Sequence, residues 1–314
     1  QTLPYPKVFD PEYVNAFELG AKNTILGGAG TVNIATYFYD YKNYQVSQIK
    51  DRTAVNENFD AKAWGFELES LLQLSEHLRF NAALGYADTE IAKGEKSIDI
   101  MDRTAGNPDY MVAKPFILQP SNCIAPVKVA EYGLQMMKDQ GQPNPEAILG
   151  GLCPGNFLSE LLIPLFFGNI WQQAGVDRAQ YLIDTNGGAG FYKELGGKEL
   201  PNAPHWTVSL GAQYSWAFAG DWKATVRADG YWQSQSWARV YNDDPYDKLH
   251  GWYNANLSLW VESEDGLKVE LYAKNILDKT PITDAFLNSD DTALTTNVFV
   301  LDPRLIGLSI RKEF

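Results

Sequence analysis

The sequence contains few of the residues on which active sites and metal centres usually depend. Its 314 residues include two cysteines and three histidines, His77, His205 and His250. The histidines lie far apart along the chain, and neither a Gly-x-Ser-x-Gly nor a His-Glu-x-x-His motif is present. No spacing of cysteine and histidine is typical of a zinc site. We therefore expect no enzyme, no metal and no cofactor, with an outer-membrane hydrolase kept as an alternative because distant residues can assemble such a site.

Positive charge and long apolar runs are also scarce. Lysine and arginine number 26 against 39 aspartates and glutamates, for a formal net charge of −13. No nucleic-acid partner is expected, since one would require a basic patch. The longest apolar stretch, residues 157–171, contains Glu160 and Pro164 and is shorter than the ~20 residues of a spanning helix. A helical membrane protein is excluded, whereas a membrane β-barrel is not, because its strands escape hydropathy scans.

Alternation of apolar and polar residues is the strongest pattern that is present. From Trp206 to Phe218, apolar or aromatic residues occupy every second position, and small or polar residues lie between them. This period of two predicts β-strands, and several segments reach the ~9–11 residues that a tilted membrane strand needs. We predict nine strands, near residues 14–26, 31–46, 59–74, 78–90, 205–217, 222–240, 251–263, 267–277 and 296–314.

The predicted connections alternate between short and long. Tight turns are predicted at 27–30, 75–77, 218–221 and 263–266, and longer polar connections at 47–58, 91–204, 241–250 and 278–295. Outer-membrane barrels have short periplasmic turns and long extracellular loops. Several aromatics also fall near predicted strand ends, as in the girdles at the two membrane interfaces. These aromatics include Trp64, Trp206, Trp216, Trp222 and Trp252. Together, loop lengths and aromatics predict a bacterial outer-membrane barrel with a periplasmic C-terminus and extracellular long loops.

Nine strands do not make a complete barrel of the usual even-numbered bacterial kind. An open sheet would leave unpaired edges in lipid. The sequence begins at Gln1, without an initiator Met or a basic and apolar leader, so either a signal peptide was removed or the chain is a piece of something longer. We therefore expect an all-β fold, an antiparallel transmembrane β-barrel portion in which residues 1–314 are the C-terminal part of one larger barrel domain.

Residues 91–204 form too long a connection for a simple loop. Helices are predicted at 127–140, from Phe157 with Asn156 as its cap, and at 174–183. We interpret this stretch as an extracellular subdomain that either grips a ligand or passively covers the barrel mouth. It contains Cys123 and Cys153. A disulfide between them is favoured over two free thiols, because disulfides persist in the compartments outside the inner membrane. Such a bridge would contribute roughly 3–4 kcal/mol.

Several short motifs occur in a characteristic order and spacing. They are Pro11-Glu12 through Lys22, Tyr37 to Gln45, Gly65 to Glu69, Leu200 to Pro204, Ala273 to Lys279, and Pro303-Arg304 with Gly307 before the terminal Phe314. By these motifs the chain resembles the C-terminal half of a TonB-dependent outer-membrane receptor, except over about 91–199. Two positions depart from the pattern: Thr280-Pro281 replaces an expected aromatic, and Lys312 interrupts the outward apolar face of the last strand, where a long stem can snorkel.

The resemblance implies a plugged barrel of about 22 strands, with about thirteen strands and the plug upstream. It implies energised uptake of a scarce small-molecule ligand: a ferric siderophore, another metal chelate, a cofactor or an oligosaccharide. The implied partners are the TonB energy-coupling complex, the barrel-assembly machinery and outer-membrane lipid, with Phe314 as the assembly signal. A passive porin or surface binding protein is the alternative in the binding class.

Charged and polar residues of the predicted strands are the ligand-binding candidates. By parity they face the lumen, where contact with the plug or with water is the alternative; they are Glu67, Glu69, Arg227, Asp229, Gln233 and Lys268. Loop carboxylates make the mouth acidic and could hold Ca²⁺, although ordinary solvation is favoured; they are Asp243, Asp244, Asp247, Asp290 and Asp291.

Overall fold

A single antiparallel sheet of nine strands dominates the computed structural model, which describes residues 8–50, 53–114, 122–155, 158–288 and 294–313. Each strand pairs with its neighbours in chain order, as in a meander. The sheet is open, so the barrel is not closed within this chain. The strands are β1 Tyr13–Ile25, β2 Gly30–Lys50, β3 Thr53–Gln73, β4 Leu78–Ile91, β5 Trp206–Phe218, β6 Trp222–Gln233, β7 Trp252–Ser263, β8 Leu267–Lys274 and β9 Leu305–Lys312.

The predicted short turns are confirmed, and together they define one end of the sheet, here called the short-turn end. The β1–β2 turn is a 3-10 helix, Leu26–Gly28, in which Gly27 and Gly28 have φ of 62° and 102°. Glycine adopts these left-handed angles without the steric cost of a Cβ atom. The opposite edge, from which the long connections leave, is called the long-loop end.

Three predicted strand or loop boundaries are wrong. The predicted loop 47–58 is instead hairpin, because β2 and β3 stay paired out to Lys50 and Thr53; its polar residues reflect solvent exposure rather than the end of a strand. The sixth strand ends at Gln233, and residues 236–237 pair separately with 248–249. The ninth begins at Leu305, since Pro303 has no N–H to donate to the ladder.

The connection predicted at 278–295 contains a strand of its own. Ile282–Leu287 pairs with Thr296–Val300, part of the predicted ninth strand, in a separate hairpin at the long-loop end. The sequence pattern alone does not separate these residues from the sheet strand that follows them. Asp290 and Asp291 lie outside the described residues.

The strand register gives the sheet one apolar and one polar face. On the apolar face of β5, Trp206, Leu210 and Phe218 are exposed, although the Trp206 ring contacts those of Phe66 and Tyr86 on neighbouring strands. Exposed apolar side chains continue across every strand on this face. They include Phe17, Leu19, Ile34, Phe38, Trp64, Phe80, Trp232, Tyr253, Leu257, Leu259, Leu271, Ile306, Leu308 and Ile310.

The insertion between β4 and β5 has a hydrophobic core of its own, here called the insertion core. The pairs 96–97 with 193–194, and Tyr110–Ala113 with Cys123–Pro126, form its two ladders. The Cys123 and Cys153 sulfur atoms are bonded to each other, and both residues are buried in this core. Its other buried members are Ala113, Ala125, Val129, Ala130, Met137, Ile148, Leu152, Ile163, Ile170, Trp171 and Tyr181.

The helices of the insertion follow the predictions in part. Val127–Asp139 matches the first predicted helix. Asn156 and Phe157 lie outside the described residues, and a π-helical turn, Leu158–Leu162, runs into the helix Ile163–Phe167. The third predicted helix, 174–183, begins only at Arg178, as the helix Arg178–Asp184 capped by the Asp177 side chain. Ile170–Gln173 is a separate helical turn before the predicted start. Within the described residues, none of the helices has the length and apolarity to cross a membrane.

Candidate functional site

The six predicted lumen-facing residues all lie on the polar face of the sheet, but they do not converge on one point. Glu67 pairs with Gly85, Gly85 with Thr207 and Thr207 with Gln233, so Glu67 and Gln233 share a row across four strands. Glu69 lies one row nearer the short-turn end. The polar face therefore carries several small clusters rather than one site.

Arg227 and Asp229 form the best-defined of these clusters. The Arg227 Nε donates to Asp229 Oδ2 at 2.8 Å, and Arg227 Nη2 donates to Asp229 Oδ1 and, at 3.1 Å, to Asn81 Oδ1. Gly211 makes this possible, because a Cβ there would lie 2.4 Å from Asn81 Oδ1 and 2.7 Å from Asp229 Oδ1. The fork-like guanidinium geometry satisfies both carboxylate oxygens, so Arg227 and Asp229 neutralise each other.

Lys268 lies near the short-turn end, away from that pair. Its Nζ is 3.0 Å from Glu270 Oε2 and 4.5 Å from the centre of the Trp260 ring. Gln233 accepts a hydrogen bond of 3.0 Å from the Tyr231 hydroxyl at the long-loop end. Lys312, the predicted departure on the last strand, lies 3.1 Å from Asp265 Oδ2 in the adjacent turn. Phe314 lies outside the described residues.

A buried ion cluster at the long-loop end was not predicted. Arg239 Nη1 lies 2.7 Å from Asp99 Oδ1, and Arg239 Nε lies 2.6 Å from Asp247 Oδ1. Lys193 Nζ lies 3.2 Å from Asp99 Oδ2 and 3.0 Å from Asp243 Oδ2. Asp99 and Asp247 are almost completely buried. The cluster joins the insertion, which supplies Asp99 and Lys193, to the β6–β7 connection.

In this cluster, attraction between opposite charges stabilises the ionised side chains, and burial destabilises them. Burial opposes ionisation of Asp99, but attraction to Arg239 and hydrogen bonds outweigh it and lower the pKa of that carboxyl. For Asp247 burial prevails over the attraction of Arg239 and raises the pKa. Burial likewise disfavours the charged Lys193, yet its carboxylate partners raise its pKa above the ordinary lysine value. The two cations of the cluster, Arg239 and Lys193, are thus each paired with more than one carboxylate.

The predicted acidic mouth is consequently not a set of free carboxylates. Asp243 and Asp247 belong to the ion cluster, and Asp244 Oδ2 lies 2.6 Å from Lys248 Nζ. Among the described residues, no group of three or more His, Cys, Asp or Glu side chains is arranged to hold a metal ion.

A second buried cluster, here called the loop-end core, seats the insertion on the polar face of β2–β4. Leu195 and Leu200 from the insertion pack with Phe59 and Ile91 from the strands. Tyr241 completes it, and its hydroxyl lies 2.8 Å from Ser97 Oγ and donates to the Ile98 carbonyl at 3.0 Å. Burial raises the pKa of Tyr241, so the hydroxyl stays protonated.

A cavity of about 240 Å³ opens beside this core at the long-loop end. Its walls include the β2 residues from Tyr44 to Ile49, near the C-terminal end of that strand. Arg239, Tyr241 and Phe286 of the 282–300 hairpin also line it. The lining combines aromatic rings, amide side chains and one guanidinium. This cavity, called the loop cavity below, has the composition of a small-molecule site: mostly apolar walls with a few placed polar groups.

The histidines remain separated in the folded chain. His205 Nε2 lies 3.2 Å from Glu199 Oε1, next to the aromatic residues at the start of β5. His77 lies in a short turn at the opposite end of the sheet, where its ring is 5.9 Å from that of Tyr214. His250 is exposed beside β7. The structure thus brings no two of them together.

Comparison with known proteins finds a family match over the first third of the chain. Residues 2–114 match the family model described as TonB dependent receptor-like, beta-barrel. The metal-pseudopaline receptor CntO of Pseudomonas aeruginosa is 32% identical over 89 residues, which are 28% of this chain and 13% of that protein.

Solved receptor structures share the fold at low sequence identity. The ferric yersiniabactin uptake receptor FyuA from Yersinia pestis aligns with a TM-score of 0.56 and 12% identity over 100% of this chain and 32% of its own. The siderophore receptor PiuA from Acinetobacter baumannii aligns with a TM-score of 0.54 and 15% identity over 97% of this chain and 29% of its own. Residues 2–114 thus match the receptor family that the predicted resemblance indicated, and the whole chain shares the fold of these receptor barrels, of whose length it spans about a third.

Proposed function

We propose that this chain is the C-terminal barrel portion of an outer-membrane receptor that takes up a metal chelate with energy from the TonB complex. The observation that carries the proposal is the nine-stranded sheet with one exposed apolar and one polar face, in a chain whose residues 2–114 match the receptor family. An exposed apolar face of this extent suits lipid, and the polar face suits a plugged, hydrated lumen. The plug and the segment that binds TonB would lie outside this sequence.

The spacing of aromatics supports a bilayer-spanning sheet. On the apolar face of β5, Trp206 and Trp216 lie ten residues apart with Val208 and Leu210 between them. That is ~33 Å along the strand, or about 25 Å of height at the usual barrel tilt, which matches the apolar band of outer-membrane barrels. In this orientation the short turns and the C-terminus are periplasmic, and the insertion is an extracellular subdomain.

A metal chelate is the ligand class that the observations favour. The curated relative is named as a metal-pseudopaline receptor, and the loop cavity offers aromatic and amide groups suited to an organic chelator. Glu67, Glu69, Arg227, Asp229, Gln233 and Lys268 would line the lumen below, in contact with the ligand or the plug. Barrel-assembly machinery that recognises the Phe314 end, and outer-membrane lipid on the apolar face, complete the proposed partners.

Uptake by whole cells tests the proposal. The full-length gene would be expressed in an outer-membrane receptor-deficient host supplied with spent medium from metal-starved cultures of the bacterium that carries it, loaded with radioactive iron, zinc or nickel. We expect saturable accumulation of at least one metal that disappears in an isogenic host lacking the TonB complex. The same host carrying an empty vector is the control.

Two other outcomes would favour the alternatives. Accumulation that persists without the TonB complex and rises linearly with concentration would favour a passive porin. Hydrolysis of ester or peptide probes by the purified receptor, abolished by His205→Ala, His77→Ala or His250→Ala, would favour an outer-membrane hydrolase. Saturable energised uptake of an oligosaccharide or a cofactor, without metal, would retain the receptor and overturn the chelate.

A further inference from the structure

We propose that four tyrosines of β2 form a track that guides an uncharged or cationic metal chelate from the loop cavity onto the polar face of the sheet. The residues are Tyr37, Tyr39, Tyr41 and Tyr44, called the tyrosine track below. This inference rests on the proposed function and adds to it the path of the ligand and its charge class.

The four rings form a continuous series along the strand. The Tyr37 and Tyr39 ring centres are 5.0 Å apart and nearly parallel, and those of Tyr39 and Tyr41 are 6.2 Å apart and edge-to-face. Tyr41 and Tyr44 follow at 5.5 Å, again edge-to-face. These are favourable aromatic separations. A ligand with a flat or apolar surface can therefore pass from ring to ring without meeting a gap.

A β-bulge extends the series to Tyr44. Tyr41 is opposite Ala61 and Tyr44 is opposite Phe59, so Lys42 and Asn43 together face the single residue Asp60. Alternation alone would turn position 44 to the apolar face, and the extra residue restores it to the polar one. Asn43 adopts a left-handed φ of 58°, and its N–H donates to Asp60 Oδ1 at 3.1 Å.

The track connects two different environments. Tyr44 lines the loop cavity, and Tyr41 and Tyr44 pack against the loop-end core, which holds them in place. Tyr37 and Tyr39 lie beyond that core, towards the middle of the sheet. Gly65 on β3 leaves room for the last ring, since a Cβ there would lie 2.5 Å from the Tyr37 hydroxyl oxygen.

The charges near the track are predominantly negative. Glu67 is a diagonal neighbour of Tyr37 across the β2–β3 ladder, and within the described residues it forms no ion pair. Glu12 reaches the other end, where its Oε2 accepts a hydrogen bond of 2.9 Å from the Gln45 N–H.

The cations nearby are already neutralised. Arg239 at the cavity is paired with Asp99 and Asp247, and Lys42 Nζ lies 2.9 Å from Asp60 Oδ2. The carboxylates Glu67 and Glu12 would repel an anionic ligand. A cationic complex would gain from the negative faces of the tyrosine rings, and an uncharged one would pack on the rings without repulsion.

Substitution of Tyr39 tests the path in the full-length receptor. With the metal-loaded spent medium as probe, Tyr39→Ala is expected to slow energised uptake roughly 3- to 10-fold, the loss expected for one aromatic contact, while binding to de-energised cells changes less than 2-fold. Tyr44→Ala should weaken both, because Tyr44 lines the cavity. Tyr39→Phe should restore uptake, since it keeps the ring.

Phe38→Ala is the matched control, because Phe38 lies between two track residues but on the apolar face. Rates are divided by the amount of receptor at the cell surface, so poor assembly does not imitate a defect in the track. Tyr39→Ala uptake equal to that of Phe38→Ala would overturn the path while leaving energised uptake, and with it the proposed function, intact. Absence of energised metal uptake by the wild type would overturn both.

Substitution of Glu67 tests the charge class. Glu67→Lys should slow uptake of a cationic complex more than Glu67→Gln does, because a cation beside Tyr37 repels it, whereas equal rates in the two variants would identify an uncharged complex. Faster uptake by Glu67→Lys than by the wild type would identify an anionic ligand and overturn the inference.

Discussion

Arg239 is the residue on which the buried ion cluster most depends, because it alone contacts both Asp99 and Asp247. Arg239→Ala would leave two carboxylates buried without their main partner, which typically costs about 3–5 kcal/mol. We expect greatly increased hydrogen exchange at the amides of Met101 and Asp243, which donate to these carboxylates, in the full-length receptor.

Lys248→Ala is the matched control for that experiment. Lys248 lies in the same connection and pairs with Asp244, whose side chain is exposed, so its loss should cost less than about 1 kcal/mol. Equal exchange in the two variants would show that the ion cluster does not fix the insertion to the β6–β7 connection.

At the scale of the element, the bulge in β2 decides which residues share a face. Inserting one residue into β3 beside Asp60 would give Lys42 and Asn43 separate partners and remove the bulge, so we expect positions beyond it to exchange faces and Tyr44 to leave the polar face. Fluorescence quenching of a tryptophan placed at position 44 reports this change: an aqueous quencher should reach it more readily in the insertion variant, where it leaves the loop-end core, than in the parent.

Asn43→Gly keeps the bulge and the left-handed backbone, and it serves as the control because glycine adopts positive φ readily. Quenching that is the same in the insertion variant and in this control would contradict the assignment of the bulge.

The insertion is an element of a different kind, stabilised by its own core and a disulfide rather than by strand pairing. Its two cysteines were visible in the sequence as a candidate pair, and the structure places them in bonded contact inside the insertion core. The loop-end core and the ion cluster then attach this unit to the sheet. A cover built in this way can hold the loop cavity in a fixed shape over the polar face.

For the whole molecule, the assignment of the two faces to lipid and lumen is the decisive property. Leu210 lies midway along the apolar face of β5, and Ser209 lies beside it on the polar face. Leu210→Arg should reduce barrel stability by about 2–4 kcal/mol, as for a charge near the middle of the bilayer. The folded fraction of full-length receptor on unheated gels, over a urea series in vesicles, measures this loss.

Ser209→Arg is the control, with Ala83 and Tyr231 as its cross-strand neighbours, and should cost much less. A loss as large as that of Leu210→Arg would mean that the polar face does not line a hydrated lumen.

Much of the fold was predictable because strand alternation and turn residues are local properties. The nine sheet strands and the four short turns follow from period-two patterns, and the polar face follows from parity along each strand. The extension of the β2–β3 hairpin through residues 47–58 was missed. Its strand residues lie beyond the apolar part of the sheet and are mostly polar, so their composition is that of a loop. The 282–300 hairpin was missed because its second strand, Thr296–Val300, is followed closely by the last sheet strand. No strong turn residue separates the two before Pro303, so the sequence suggests one continuous strand.

The sequence by itself determined which residues alternate, where the chain turns tightly and that two cysteines share one insertion, because each depends on neighbours in the chain. Only the tertiary structure decided that Asp99, Lys193, Arg239 and Asp247 meet, since they come from segments up to 148 positions apart in numbering. It also decided that Tyr44 joins the tyrosine track, because a single bulge residue reverses a parity that sequence reading assumes to be unbroken. Local patterning fixes the strands and their faces, whereas the ion cluster and the cavity arise where distant loops fold back onto them.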